Sequence, residues 1–188
     1  AAALAEPLAP AMRCRCLVDD ARRLHARGDL PAARARADQA LALADQEGDA
    51  VLAGVAAQTL VYLCIAVGDL ESARGFAERS ATVFSERDDA EGRVRATAAR
   101  AAVAHAGQFL AEAETLYREA LEDARAHGIR IAVEEILPNF GVVLSELGRW
   151  GDLRTTNAEA ARLALESGRP RGAAVAIANL AQVDGLTG

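Results

Sequence analysis

Apolar, small and glycine positions return along this chain every forty residues, with no insertion interrupting the period. Gly28, Gly68 and Gly148 share one slot; the third copy has Gln108 there, with Gly107 one position earlier. Two residues on, a large apolar side chain recurs at Leu30, Leu70, Leu110 and Trp150. Ala33, Ala73, Ala113 and Leu153 follow three residues later, and Ala40, Ser80, Ala120 and Ala160 seven beyond those. A second punctuation falls half a period away at Gly48, Asp88, Gly128 and Gly168. Each period thus holds two segments of about eighteen residues separated by short turns, the pattern of a helix hairpin.

The turn chemistry agrees. Gly-Asp-Leu at 28–30 and 68–70 supplies a glycine able to end one helix in the left-handed region and an aspartate able to cap the next. Pro31 falls in a first turn, where its missing N–H costs nothing. A small-residue column, Ala21, Val61, Ala101, Gly141 and Ala181, lets the first helix of each hairpin approach its partner closely. Such hairpins bury their apolar faces only against neighbours, so the expected architecture is an all-α, right-handed α-α superhelix. The expected division is an N-terminal extension (1–13), four repeats (14–48, 49–88, 89–128, 129–168) and a half repeat or capping helix (169–188). Ending half a period short and beginning without methionine, the chain reads as a fragment of a larger protein.

Composition narrows the chemistry. Hydrophobic residues make up 52 % but aromatics only 4 %, so the apolar share is mostly alanine and leucine, which favour helix over strand. All 21 basic residues are arginine, which removes every mechanism that needs a phosphate-loop, Schiff-base or dyad lysine. The net charge is −6 and the arginines are interleaved with acids, so the concentrated basic face that nucleic acid requires is not expected. The longest apolar stretch, Thr59 to Val67, is short of a membrane span, and no basic segment precedes the apolar opening; a cytoplasmic protein with reduced thiols is expected.

Candidate chemistry is sparse. His25 and His105 stand two repeats apart, too far to share a metal ion, and His127 falls at a helix end where it can meet terminal carbonyls. Cys14 and Cys16 have no further ligands at recognised spacing. Glu134–Glu135 and Asp88–Asp89 are adjacent carboxylates that face different sides of a helix or cap its start. No enzyme, metal or cofactor is therefore expected. Two helices carry charge in an otherwise apolar slot: Asp20 and Arg100 stand where Leu60, Phe140 and Leu180 stand elsewhere, which predicts local rotation or solvation. Pro138 inside a helix predicts a kink.

The stretch PNFGVVLSELGRW (138–150), with Asn139, Phe140, Gly141, Leu144 and Gly148, resembles the tetratricopeptide-repeat family, and Asn179-Leu180-Ala181 repeats it in the fifth unit. The forty-residue period is similar to that in LuxR-type activators of the maltose-activator class and other bacterial signalling proteins. The resemblance implies a non-catalytic interaction or sensory scaffold that binds a protein, a peptide or other domains of its parent, without contacting nucleic acid or membrane. The alternatives are a peptide or small-effector receptor and a homodimer formed through the solenoid ends. It also implies that ligands lie along the first helix of each hairpin: Arg15, Arg22 and His25; Gln58 and Tyr62; Arg95 and His105; Asn139, Val142 and Ser145, with Glu135 near the entrance. Without lysine, a clamp for a C-terminal carboxylate is not expected.

Overall fold

The computed structural model describes residues 8–168 and 170–187. All their regular structure is helical: α1 (Pro10–Ala26), α2 (Leu30–Gln46), α3 (Ala50–Ala66), α4 (Leu70–Ser85), α5 (Ala90–Ala106), α6 (Leu110–Ala126), α7 (Arg130–Glu146), α8 (Trp150–Glu166) and α9 (Pro170–Thr187). A helix begins every twenty residues, so one period is two helices, the arrangement of an α-α solenoid. Helix α1 starts at Pro10, inside the stretch expected to be an extension, because a proline near the first helical position gives up no hydrogen bond and has φ already set. The earlier part of that stretch, residues 1–7, lies outside the described residues, as does Gly188.

The turns explain the regular spacing. Gly68 takes φ +78°, and Asp69 N–H reaches back to the Cys64 carbonyl at 2.9 Å, closing α3. Asp69 then accepts from Ser72 N–H at 3.1 Å and opens α4; Asp29 and Asp49 do the same for Ala32 and Leu52. In the third copy Gln108 itself takes φ +62°, with Phe109 N–H on the Ala104 carbonyl at 2.9 Å. The turn imposes the left-handed geometry on whichever residue holds that place, and glycine at 107 does not shift it.

The chain forms two compact units, Ala1–Gly92 and Arg93–Gly188. In the first, α2 packs on α1 and α3, and α4 on α3. Its core is alanine-rich: Ala21, Ala33 and Ala37 meet Leu60 and Leu63. Helix α3 is buried around most of its circumference. Phe84 is the large plug of this unit, and a Cβ built on Gly54 or Gly92 would stand 2.8 Å and 2.1 Å from its ring. In the second unit α7 packs on α6 and α8, and α8 on α9, around larger side chains. Tyr117 and Phe140 meet there with ring centroids 6.1 Å apart, beside Leu137, Leu144 and Leu153.

The small-residue column is buried at Ala21, Val61, Ala101 and Gly141. Ala181, in the fifth copy, is exposed. Helix α1 is solvated rather than rotated at Asp20: its buried Cys14, Val18 and Ala21 occupy the slots of Gly54, Gln58 and Val61. Asp20 stays half-exposed, 3.1 Å from Arg36 and 3.4 Å from Arg23, and Arg100 is exposed. Helix α7 runs unbroken through Pro138, which is exposed. Among the described residues no helix is long and apolar enough to cross a membrane.

Candidate binding face

Helix α7 buries Ala132, Val133, Ile136, Leu137, Phe140, Val143 and Leu144. The residues left over at three- and four-residue steps, Ile131, Glu135, Asn139, Val142 and Ser145, form one exposed strip down the helix. Ile131 is 65 % exposed and Val142 48 %, so apolar surface alternates with an amide and a hydroxyl. Arg95 of α5 lies 3.1 Å from Glu135 of α7, and His105 of α5 lies 3.2 Å from Glu146 of α7. These two cross-helix rungs, ten residues apart on α5 and eleven on α7, tie α5 to α7 on the side that carries the strip.

In the second unit the structure therefore brings together five residues expected from the sequence: Arg95, His105, Asn139, Val142 and Ser145. Arg95 and His105 are not open anion sites, since each already faces a carboxylate on the neighbouring helix. In the first unit Arg15 and Arg22 are exposed on α1, while His25 of α1 and Tyr62 of α3 are half-buried. Gln58 is a correction. It is 4 % exposed, and its Nε2 donates to the Gly92 carbonyl at 3.3 Å, so it is a core residue joining α3 to the start of α5 and does not line a binding face. Its slot is held by the buried Val18 and Ala98 in the first and third copies. Ile131 was not expected from the sequence; its signal is that it and Val142 stand eleven residues, three helical turns, apart on an otherwise polar face.

Three further titratable groups, Cys14, Cys64 and His127, have partners within the fold. Cys14 is buried and donates to the Ala40 carbonyl at 3.3 Å, whereas Cys16 is exposed, so the two thiols point apart. Arg34 Nη1 donates to the buried Cys64 sulfur at 3.2 Å. Burial pushes both the Cys14 and Cys64 thiols up, with Arg34 opposing the shift at Cys64, so both stay protonated. His127 closes α6, its Nδ1 2.9 Å from the Asp123 carbonyl. Among the described residues no three His, Cys, Asp or Glu side chains converge as metal ligands would.

No family model and no curated protein matches the chain. Among solved structures it is similar to BtubC (BKLC) from P. vanneervenii, at 16 % identity and a TM-score of 0.57, over 96 % of this chain and 92 % of that one. At that identity the likeness bears on fold alone, and the fold it supports is the helical α-α solenoid.

Proposed function

We propose that this chain is a non-catalytic interaction module of the tetratricopeptide type, which takes an extended peptide segment of a partner protein, or of its own parent, along the exposed strip of α7. The observation that carries the reading is the composition of that strip. Asn139 offers amide donors and an acceptor suited to a peptide backbone, Ser145 adds a hydroxyl, and Ile131 and Val142 offer apolar area for alternate side chains. The Arg95–Glu135 and His105–Glu146 rungs hold α5 against α7, so the strip is presented on a fixed frame and little ordering cost accompanies binding. A role in signalling or transcriptional regulation belongs to the same proposal and rests on the repeat pattern.

A displayed library of random linear peptides, selected on the whole chain and re-screened against Asn139→Ala and Val142→Glu, tests this. Expected are ligands whose affinity falls about tenfold or more with either substitution, the size of a lost buried hydrogen bond or apolar anchor. A library that yields nothing above background, or only ligands indifferent to both substitutions, overturns it.

A further inference from the structure

The first hairpin carries a second, chemically different surface. Between α1 and α2, on the side away from α3, lies an open groove of about 680 Å³, lined by Leu17, Leu43 and Cys16 with Arg13, Arg23 and Arg36. The repeat shows what such a groove is shaped for. In the next hairpin the corresponding groove, between α3 and α4, is filled by α2: Leu60 and Leu63 of α3 and Phe76 of α4 pack on Ala33 and Ala37. At its rim Arg79 of α4 pairs with Asp45 of α2. In the second unit the same rim pair recurs with its charges exchanged, Arg125 of α6 with Glu159 of α8. The seat for a helix is thus a standing feature of the hairpin.

In the first hairpin the slots of Leu60, Leu63 and Phe76 hold Asp20, Arg23 and Arg36. Three arginines stand against one aspartate there, in a chain whose net charge is −6. Leu17 and Leu43 pack on this hairpin's own buried cluster and leave the rest of their surface along the groove. A surface serving only as a polar end cap would need no excess of one sign. We propose that this groove seats an amphipathic helix of another polypeptide, one whose apolar stripe covers Leu17 and Leu43 and whose flanking Asp or Glu side chains meet Arg13, Arg23 and Arg36.

Cys16 provides the probe, since it is exposed within the groove while Cys14 and Cys64 are buried. Two synthetic amphipathic helices with the same leucine stripe, one edged by glutamates and one by lysines, are titrated onto the whole chain, following fluorescence anisotropy and the rate of Cys16 alkylation. The glutamate-edged peptide is expected to bind and to slow alkylation about tenfold or more, and the lysine-edged one to do neither. Arg23 and Arg36 are solvent-exposed, so Arg23→Glu/Arg36→Glu is expected to fold and to exchange the preference. Binding by neither peptide, equal binding by both, or a preference unchanged in the double variant overturns the proposal. Protection of Cys16 that rises with protein concentration alone assigns the groove to a second copy of the chain and equally overturns it.

Discussion

Where α1, α2 and α3 meet, the buried cluster is closed by Cys14, Ala44 and Leu52; where α3, α4 and α5 meet, the same three slots hold Gly54, Phe84 and Gly92. The first joint places its volume on the two first helices and keeps the second helix small. The second joint inverts this, with one phenyl ring filling the space that two missing side chains leave. In the second unit the same slots hold Val94, Ala124 and Ala132 in one cluster, with the second helix again small. The period of the chain therefore fixes the helix spacing, and the first two joints show that either the first helices or the second can supply the filling atoms.

The largest effects fall at the inverted joint. Phe84→Ala removes its plug, and a loss of about 3–5 kcal/mol is expected in denaturant unfolding of the whole chain. Gly92→Ala sets a Cβ against the ring and costs about 1–3 kcal/mol. The triple variant Gly54→Cys/Phe84→Ala/Gly92→Leu installs the first joint's residues and is expected to recover most of the loss, a strong coupling between neighbours. A triple variant as unstable as the sum of its parts breaks the claim that the joints are interchangeable. The hairpin faces give a matching pair. Leu60→Asp buries a charge between α2 and α3 and costs about 3 kcal/mol or more, while Asp20→Leu, half-exposed in the same slot, changes stability by less than about 1 kcal/mol.

Gln58 sharpens the comparison on a smaller scale, because Val18 fills its slot at the first joint. Gln58→Val keeps most of the volume and deletes the bond to the Gly92 carbonyl, for an expected loss of about 1 kcal/mol. Of similar size and opposite sign is Gln108→Gly, which relieves a left-handed side chain and is expected to stabilise by about 1 kcal/mol, read as a rise in the unfolding midpoint.

These residues also mark how far the sequence could be read. Most helix ends were legible because they depend on one local group, a glycine or an aspartate at a fixed place, with Gln108 the exception at the end of α5. The joints were not, since Gly54, Phe84 and Gly92 make sense only together, across three helices. The available hint was a lone phenylalanine in a column of Ala44, Ala124 and Ala164, with glycines inside helices rather than at turns. Gln58 was misplaced because one residue along a helix is a rotation of about 100°, enough to turn a side chain from the exposed face into the core. Its own column carries part of that information, with the apolar Val18 and Ala98 in the first and third copies and the exposed Pro138 in the fourth. On the exposed strip of α7, Asn139, Val142 and Ser145 stand where the family resemblance implies, whereas the partners of Arg95 and His105 lie on another helix, forty and forty-one residues away, and had no local signature.

The finest difference between the first two hairpins lies in their turns. Asp29 caps α2 opposite Ala32, while Asp69 caps α4 opposite Ser72, so only the second carboxylate has a hydroxyl beside it. Hydrogen bonds from Ser72, the hydroxyl first and the backbone N–H second, hold Asp69 below its ordinary value of 3.8. In the unfolded chain the group titrates at the ordinary value. Its contribution is therefore complete above that value and disappears as pH falls through the lower, folded one. Asp69→Asn keeps a capping oxygen but cannot ionise, so the stability gap between wild type and this variant should narrow as unfolding is followed from about pH 6 to pH 2. Ser72→Ala gives the second turn the first turn's chemistry and should shrink that pH-dependent gap while leaving the cap in place. If the gap is flat across the range, or survives Ser72→Ala unchanged, the two turns differ in sequence but not in the way they hold a charge.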